Sequence, residues 1–271
     1  MDVNGKTVIV TGASRGIGAE IAREFASAGA NVVLSARSEH AITRLAQEIH
    51  GISIPFDANN PEEARCYIDK VEGEVGKIDI LINNAGIEIS NLVEDVTENE
   101  IENTIRVNLI TPQILTASLL PKMIAQGKGH FVFTSSIAAT SGNPGMSVYS
   151  ASKGGLTRFA ESLRMELRYT PLNVTILHLG PVDTGMWDAI DDDPLLKRGV
   201  HRLTKLGFLS VADSQKVAKK TLKAVQKNKR EVRLPRRMAS NAILNGIGTR
   251  LFESLLTGIN HREEVGKPPL A

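Results

Sequence analysis

Thr11-Gly12-Ala13-Ser14-Arg15-Gly16-Ile17-Gly18 follows the apolar run Thr7 to Val10 and continues into Ala19-Glu20-Ile21-Ala22-Arg23-Glu24-Phe25. Ile17, Ile21, Ala22 and Phe25 recur at helical spacing, so the stretch predicts a strand, a tight glycine turn and a helix. Glycines at such a turn let the main chain bend sharply and approach a ligand. The free N–H groups and the dipole at the helix start attract a pyrophosphate. The spacing departs from Gly-x-Gly-x-x-Gly, and a ligand-free turn is the competing reading. The place of this turn at the first crossover favours the phosphate.

The same alternation continues outward. Further apolar runs rich in β-branched residues lie at Asn31 to Ser35, Ile52 to Pro55, Ile78 to Ile82, Gly129 to Thr134, Val174 to Leu179 and Glu231 to Leu234, with helical patterns between them. Strands without polar alternation are buried on both faces, which predicts an α/β fold: a doubly wound parallel sheet of the Rossmann type flanked by helices. Residues 1–235 are expected to form one domain, with 185–208 as a substrate loop or lid. Beyond it, Ile243, Leu244, Ile247, Leu251, Phe252, Leu255, Leu256 and Ile259 predict an apolar helix face within a C-terminal extension, 236–271. That extension is expected to pack on the domain, on a partner subunit, or on a membrane surface with Arg236 and Arg237 near lipid phosphates.

Composition narrows the function classes. The 271 residues carry 32 Lys and Arg against 30 Asp and Glu, a balance that argues against nucleic acid as a partner. The single cysteine, Cys66, and the scattered histidines offer no metal-ligand spacing, so no metal is expected. The first residues show no signal-peptide pattern and no apolar stretch is long enough to span a bilayer. A cytoplasmic protein is therefore expected.

At the end of the second strand, where a cofactor with a free ribose 2′-hydroxyl would want an acid, stands Ser35-Ala36-Arg37. Guanidinium groups make paired, charge-assisted contacts with phosphate, so Arg37, together with Arg15, favours the 2′-phosphate of NADP(H). The alternative for each arginine is a solvated surface charge. Glu39 nearby complicates the reading, although Ser38-Glu39 also looks like a helix start.

Several further motifs follow in order: Asp57 after strand three, Asn83-Asn84-Ala85-Gly86 after strand four, Asn108 in the next helix, Ser136 after strand five, and Tyr149-Ser150-Ala151-Ser152-Lys153. With the glycine turn, this series resembles the short-chain dehydrogenase/reductase family over roughly residues 5 to 185. The resemblance implies a catalytic set of Asn108, Ser136, Tyr149 and Lys153. Its implied cofactor contacts are Gly12, Ser14, Arg15, Gly16, Ile17, Gly18, Asp57, Ala58, Asn84, Ala85, Gly86, Tyr149, Lys153, Val182 and Thr184. Leu179-Gly180-Pro181 departs from the family's usual Pro-Gly and leaves the course of that loop open. Ser135 rivals Ser136, and only the thirteen-residue interval to Tyr149 that the family requires favours the latter.

Tyr149 and Lys153 also carry their own argument. Four residues apart on a helix, they share a face. A free tyrosine titrates near pH 10, and a nearby ammonium and a positive nicotinamide are expected to lower that value and make Tyr149 a usable acid or base. Ser136 can hold a substrate oxygen as charge develops on it, and the family's Asn positions a proton-relaying water through Lys153. The function expected is NADPH-dependent, reversible reduction of a ketone to a secondary alcohol. The alternatives are a 3-oxoacyl thioester reductase and a non-catalytic NADPH-binding regulator. Met186, Trp187, Ile190, Leu195 and Leu196, with the C-terminal helix, point to a hydrophobic, lipid-like carbonyl or alcohol substrate. A homodimer or homotetramer is expected.

Overall fold

The computed structural model describes residues 1–140, 142, 144–183, 202, 205 and 211–235. Seven parallel strands form one sheet in the order β3-β2-β1-β4-β5-β6-β7. They are β1 (Thr7–Thr11), β2 (Asn31–Ser35), β3 (Ile52–Ser53), β4 (Ile80–Asn83), β5 (Gly129–Ser136), β6 (Leu172–Leu179) and β7 (Glu231–Leu234). Among the described residues the α-helices are α1 (Gly16–Ser27), α2 (Glu39–Ile49), α3 (Pro61–Val75), α4 (Glu98–Ile105), α5 (Thr111–Gln126), α6 (Ser147–Glu166) and α7 (Ser214–Gln226). Between α4 and α5 the chain widens into a π-helical turn, Arg106–Ile110. The doubly wound parallel sheet is the fold expected from the apolar runs. The expectations for Thr184, for most of the 185–208 loop and for the 236–271 extension lie outside the described residues.

Alternation along the buried strands sorts side chains into two cores. Val8, Val10, Val32, Leu34, Ile80, Ile82, Val132 and Leu177 face one side, where Ile21 and Phe25 of α1 and Val217 and Val225 of α7 pack on them. Ile9, Val33, Leu81, Phe131, Phe133, Val174 and Ile176 face the other, against Tyr67 and Ile68 of α3, Leu115 and Leu119 of α5, and Leu156 and Ala160 of α6. Both faces are thus dry, which is why the strands read as continuous apolar runs. Pro121 lies within α5. The sheet order changes direction at β1, since β2 lies on one side of it and β4 on the other. In a doubly wound sheet the crevice beyond the strand ends at that point is where ligands bind. The glycine turn and the segment after β4 both start there.

Candidate active site

The turn after β1 is built to bring main chain close to main chain. Gly12 has φ +68 and Gly16 has φ +57, a left-handed backbone that favours glycine. Gly18, in the first turn of α1, lies against Gly12, so that an added Cβ would collide with the Gly12 carbonyl and sit 2.6 Å from Asn84 Nδ2. Asn84 Nδ2 donates to the Thr11 and Gly12 carbonyls at 3.1 and 3.4 Å, and the Thr11 hydroxyl accepts from the N–H groups of Asn84 and Ala85 at 3.0 Å each. The glycine turn and the segment after β4 therefore form one unit. At the N-terminus of α1 no side chain caps the free N–H groups, and the first turn holds no acid. An anion can take that place.

Strand register brings the two arginines to this end. Thr11 pairs with Ser35, and Ala13 N donates to the Ser35 carbonyl at 3.1 Å, so Arg15 and Arg37 leave adjacent strand ends. Both are exposed, and among the described residues neither is held by a carboxylate. Arg23, by contrast, is tied to Glu20 and Glu48 at 2.8 and 2.7 Å. Asp57 accepts from Asn59 N at 2.9 Å, and the Ala58 carbonyl accepts from the Thr111 hydroxyl at 2.7 Å. The loop after β6 is pinned: Gly180 N donates to the Leu234 carbonyl at 2.7 Å, Ala212 N to the Pro181 carbonyl at 2.8 Å, and Val182 is buried. This is the course that Leu179-Gly180-Pro181 left open.

Ser136, Tyr149, Lys153 and Asn108 come together where β5, α6 and the π-helical turn meet. Ser136 closes β5, and its hydroxyl lies on the side of the Tyr149 phenol, where it favours loss of the phenol proton. Lys153 is 4% exposed, its ammonium 5.8 Å from the Tyr149 ring centre and 3.0 Å from the Thr134 carbonyl, to which it donates. Ser135 is not a rival in this geometry. Its hydroxyl donates to the Lys153 carbonyl at 3.2 Å and accepts from the Thr157 hydroxyl at 2.7 Å. Asn108 has its whole amide engaged: Oδ1 accepts from Ile87 N at 2.9 Å, while Nδ2 donates to the Ile87 carbonyl at 2.8 Å and to Ser152 Oγ at 3.0 Å. The helix expected at this point is instead a π-helical turn closed by a bond from Thr111 N to the Arg106 carbonyl, a distortion that recurs at functional sites.

The electrostatics differ from the expectation of a lowered tyrosine. Burial is the largest influence on Tyr149 and pushes the phenol up; the Glu88 carboxylate adds to this, and the Ser136 hydroxyl opposes it. Burial pulls the Lys153 ammonium down to about 8, against which Glu88 raises it. At neutral pH Tyr149 is accordingly a protonated phenol, an acid in waiting, beside a lysine that is mostly charged. Glu88 was missed by reading the sequence, because it belongs to no motif and reaches the pair only through the path of the chain after Ile87. Its negative charge favours the ammonium and disfavours the phenolate, so it raises both groups. Glu88→Gln should lower both and carry any pH–rate profile governed by the Tyr149 phenolate toward lower pH; a profile that stays in place would remove Glu88 from the electrostatics of the site.

Among the described residues, no group of three His, Cys, Asp or Glu side chains could hold a metal ion, and no helix is long and apolar enough to cross a membrane. Cys66 is exposed.

Comparison with known proteins agrees with this fold. The family model described as short chain dehydrogenase matches residues 6–195. Ketoacyl reductase HetN of Nostoc sp. is 35% identical over 236 residues, which cover 85% of this chain and 78% of the relative. 3-Oxoacyl-[acyl-carrier-protein] reductase FabG of Escherichia coli is 33% identical over 195 residues, covering 71% of this chain and 80% of that protein. Dehydrogenase/reductase SDR family member 7B of Mus musculus is 30% identical and aligns with 96% of this chain and 83% of its own. Among solved structures, a short-chain dehydrogenase from Streptomyces avermitilis superposes with a TM-score of 0.78 at 26% identity, covering 98% of both chains.

Proposed function

Because the chain belongs to the short-chain dehydrogenase family of oxidoreductases, we propose that it reduces a ketone to a secondary alcohol with NADPH, with Asn108, Ser136, Tyr149 and Lys153 as its catalytic group. The observation that carries this reading is the buried Lys153 ammonium, 5.8 Å from the centre of the Tyr149 ring and held by the Thr134 carbonyl, at the end of β5 where Ser136 stands. The residues present suit the dinucleotide. The N-terminus of α1 offers uncapped N–H groups to its pyrophosphate, in a turn whose glycines let it pack tightly on itself and on the segment after β4. Ser14, Ile17, Asp57, Ala58, Ala85, Gly86, Val182 and Thr184 complete the proposed contacts. When bound, the nicotinamide would supply the hydride that the carbonyl carbon needs.

The chain's own groups do the rest. Ser136 holds the substrate oxygen as negative charge grows on it, and Tyr149 gives that oxygen its proton. Lys153 offsets the charge left on the phenol. Asn108 holds Ile87 by its side chain, so any relay toward Lys153 runs through its main chain. NADPH over NADH rests on Arg15 and Arg37, which no carboxylate holds among the described residues. Paired contacts from Arg37 to a 2′-phosphate contribute about 1.5 to 3 kcal/mol, so Arg37→Asp should move preference toward NADH by roughly ten-fold or more. A wild-type protein that binds both cofactors equally would refute the choice of NADP(H).

For the substrate we favour a hydrophobic or lipid-like ketone. The names of the relatives from Nostoc sp. and Escherichia coli support a second reading, a 3-oxoacyl thioester reductase. The proposal includes residues 1–235 as one domain with 236–271 as an extension. It also includes a homodimer or homotetramer, consistent with the exposed apolar side chains Ile101, Ile110 and Met165. Loss of reduced-nicotinamide absorbance with long and short 3-oxoacyl thioesters, bulky cyclic ketones and quinones tests the whole. Turnover with the cyclic ketones favours the first reading, and turnover with the thioesters alone the second. Saturable NADPH binding without turnover on any of them would make the chain a cofactor-binding regulator instead.

A further inference from the structure

We propose that Ser152 is a positioning residue for proton transfer at Tyr149, a role that rests on the reading of Tyr149 as the proton donor. Ser152 is fully buried on α6, next to Lys153. Its hydroxyl donates to the carbonyl of Tyr149 at 2.7 Å and accepts from Asn108 Nδ2 at 3.0 Å. Asn108 in turn grips Ile87 at both its N–H and its carbonyl, 2.9 and 2.8 Å away. One line of hydrogen bonds therefore runs from the segment after β4, through the π-helical turn, to the main chain of Tyr149. Ser152 is the link that joins α6 to the other two.

The chemistry of the link explains why a hydroxyl is needed. Asn108 Nδ2 carries two hydrogens in a site closed to water, one for Ile87 and one for Ser152, and an alanine at 152 would leave the second unpaired. A serine hydroxyl bonded to a carbonyl one turn back also competes with the helix ladder and sets the local bend of the helix. Tyr149 lies in that same turn. Without the link, α6 and the segment at Gly86 and Ile87 would settle independently. Gly86 is close to both partners: a Cβ built on it would lie 3.2 Å from Lys153 Nζ and 3.3 Å from Asn108 Oδ1. Displacements well under the size of a side chain matter here, since a misplacement of about 1 Å can cost about a hundred-fold in rate.

Ser135 provides the control. It is also buried and bonds the carbonyl of Lys153 on the same helix, but its hydrogen bonds go to Lys153 and Thr157, not to Asn108 or Ile87. Ser152→Ala should lower kcat about ten-fold or more for whichever ketone of the panel above the wild type reduces fastest, with KM for NADPH within about two-fold, and Ser152→Thr, which keeps the hydroxyl, should recover most of the loss. Hydrogen exchange gives a readout that needs no turnover. The Ile87 amide, held by Asn108, should exchange faster in Ser152→Ala than in wild type, while Ser135→Ala leaves the peptide covering 84–91 unchanged. Wild-type kcat in Ser152→Ala, or the same exchange in that peptide for both alanine variants, would overturn the role of Ser152. Tyr149→Phe measured beside them separates the two readings: if it kills turnover while Ser152→Ala does not, only the positioning role fails, and if it keeps turnover, the assignment of Tyr149 falls and this one with it.

Discussion

Tyr149→Phe loses about 10²- to 10⁴-fold in kcat for carbonyl reduction, the span that a positioned general acid contributes, while the dissociation constant for NADPH stays within about two-fold. The phenylalanine keeps the ring and its place at the site but has no proton to give. The loss falls on kcat because the hydroxyl is used on the carbonyl oxygen, and Lys153 remains where it was, donating to the Thr134 carbonyl. Steady-state rates with the preferred ketone, beside a binding titration followed by cofactor fluorescence, make the check. A variant turning over at near wild-type rate would take Tyr149 out of the chemistry and leave its raised phenol as a consequence of burial and of Glu88.

Gly18→Ala damages the cofactor end and the fold together. Its methyl group would strike the Gly12 carbonyl and come within 2.6 Å of Asn84 Nδ2, so either α1 moves off the turn or Asn84 releases the Thr11 and Gly12 carbonyls. One partner is main chain, and the other is a side-chain end already held by two carbonyls. Overpacking of this kind costs about 1–3 kcal/mol and sometimes more, which in a chain of this size lowers Tm by several degrees. Affinity for NADPH should fall by roughly ten-fold or more in the same variant, because the N–H groups at the start of α1 lose their alignment. Thermal unfolding and a cofactor titration measure the two effects separately. Wild-type values for both would mean that α1 can retreat without consequence, against the close contact seen here.

Most of the fold was legible because its strands are buried on both faces. β1 and β2 begin where the apolar runs begin, and nothing but burial against helices on two sides explains such runs. β3 is the exception. The run at Ile52 to Pro55 reads as a strand of ordinary length, yet only Ile52 and Ser53 are in strand register with β2 at this sheet edge, although Ile54 N still donates to the Leu34 carbonyl at 2.9 Å. At the site, the glycine turn and the residues Asn84, Ser136, Tyr149 and Lys153 were legible because each falls in a local signature. The thirteen-residue interval favoured Ser136 over Ser135, but the partners of Ser135 were not legible: adjacent strand residues point to opposite sides, and only the placement of α6 puts the Ser135 hydroxyl on Lys153 and Thr157. Glu88, the π-helical turn and the bond between Asn108 and Ser152 were illegible for the same reason. Each depends on segments far apart in sequence being folded onto one another.

The strand order also governs how this chain must assemble. β1, made first, ends up between β2 and β4, and the Thr11 hydroxyl donates to the carbonyl of Ile82. Until β4 has left the ribosome, one edge of β1 has no native partner, although β2 is already available to the other. Non-local parallel pairing of this kind is slow, and an open apolar edge is a template for the wrong neighbour. The crevice that makes the ligand site is thus also the last seam of the N-terminal half to close, so the chain is most exposed to misassociation during synthesis of the stretch from Ala36 to Asn83.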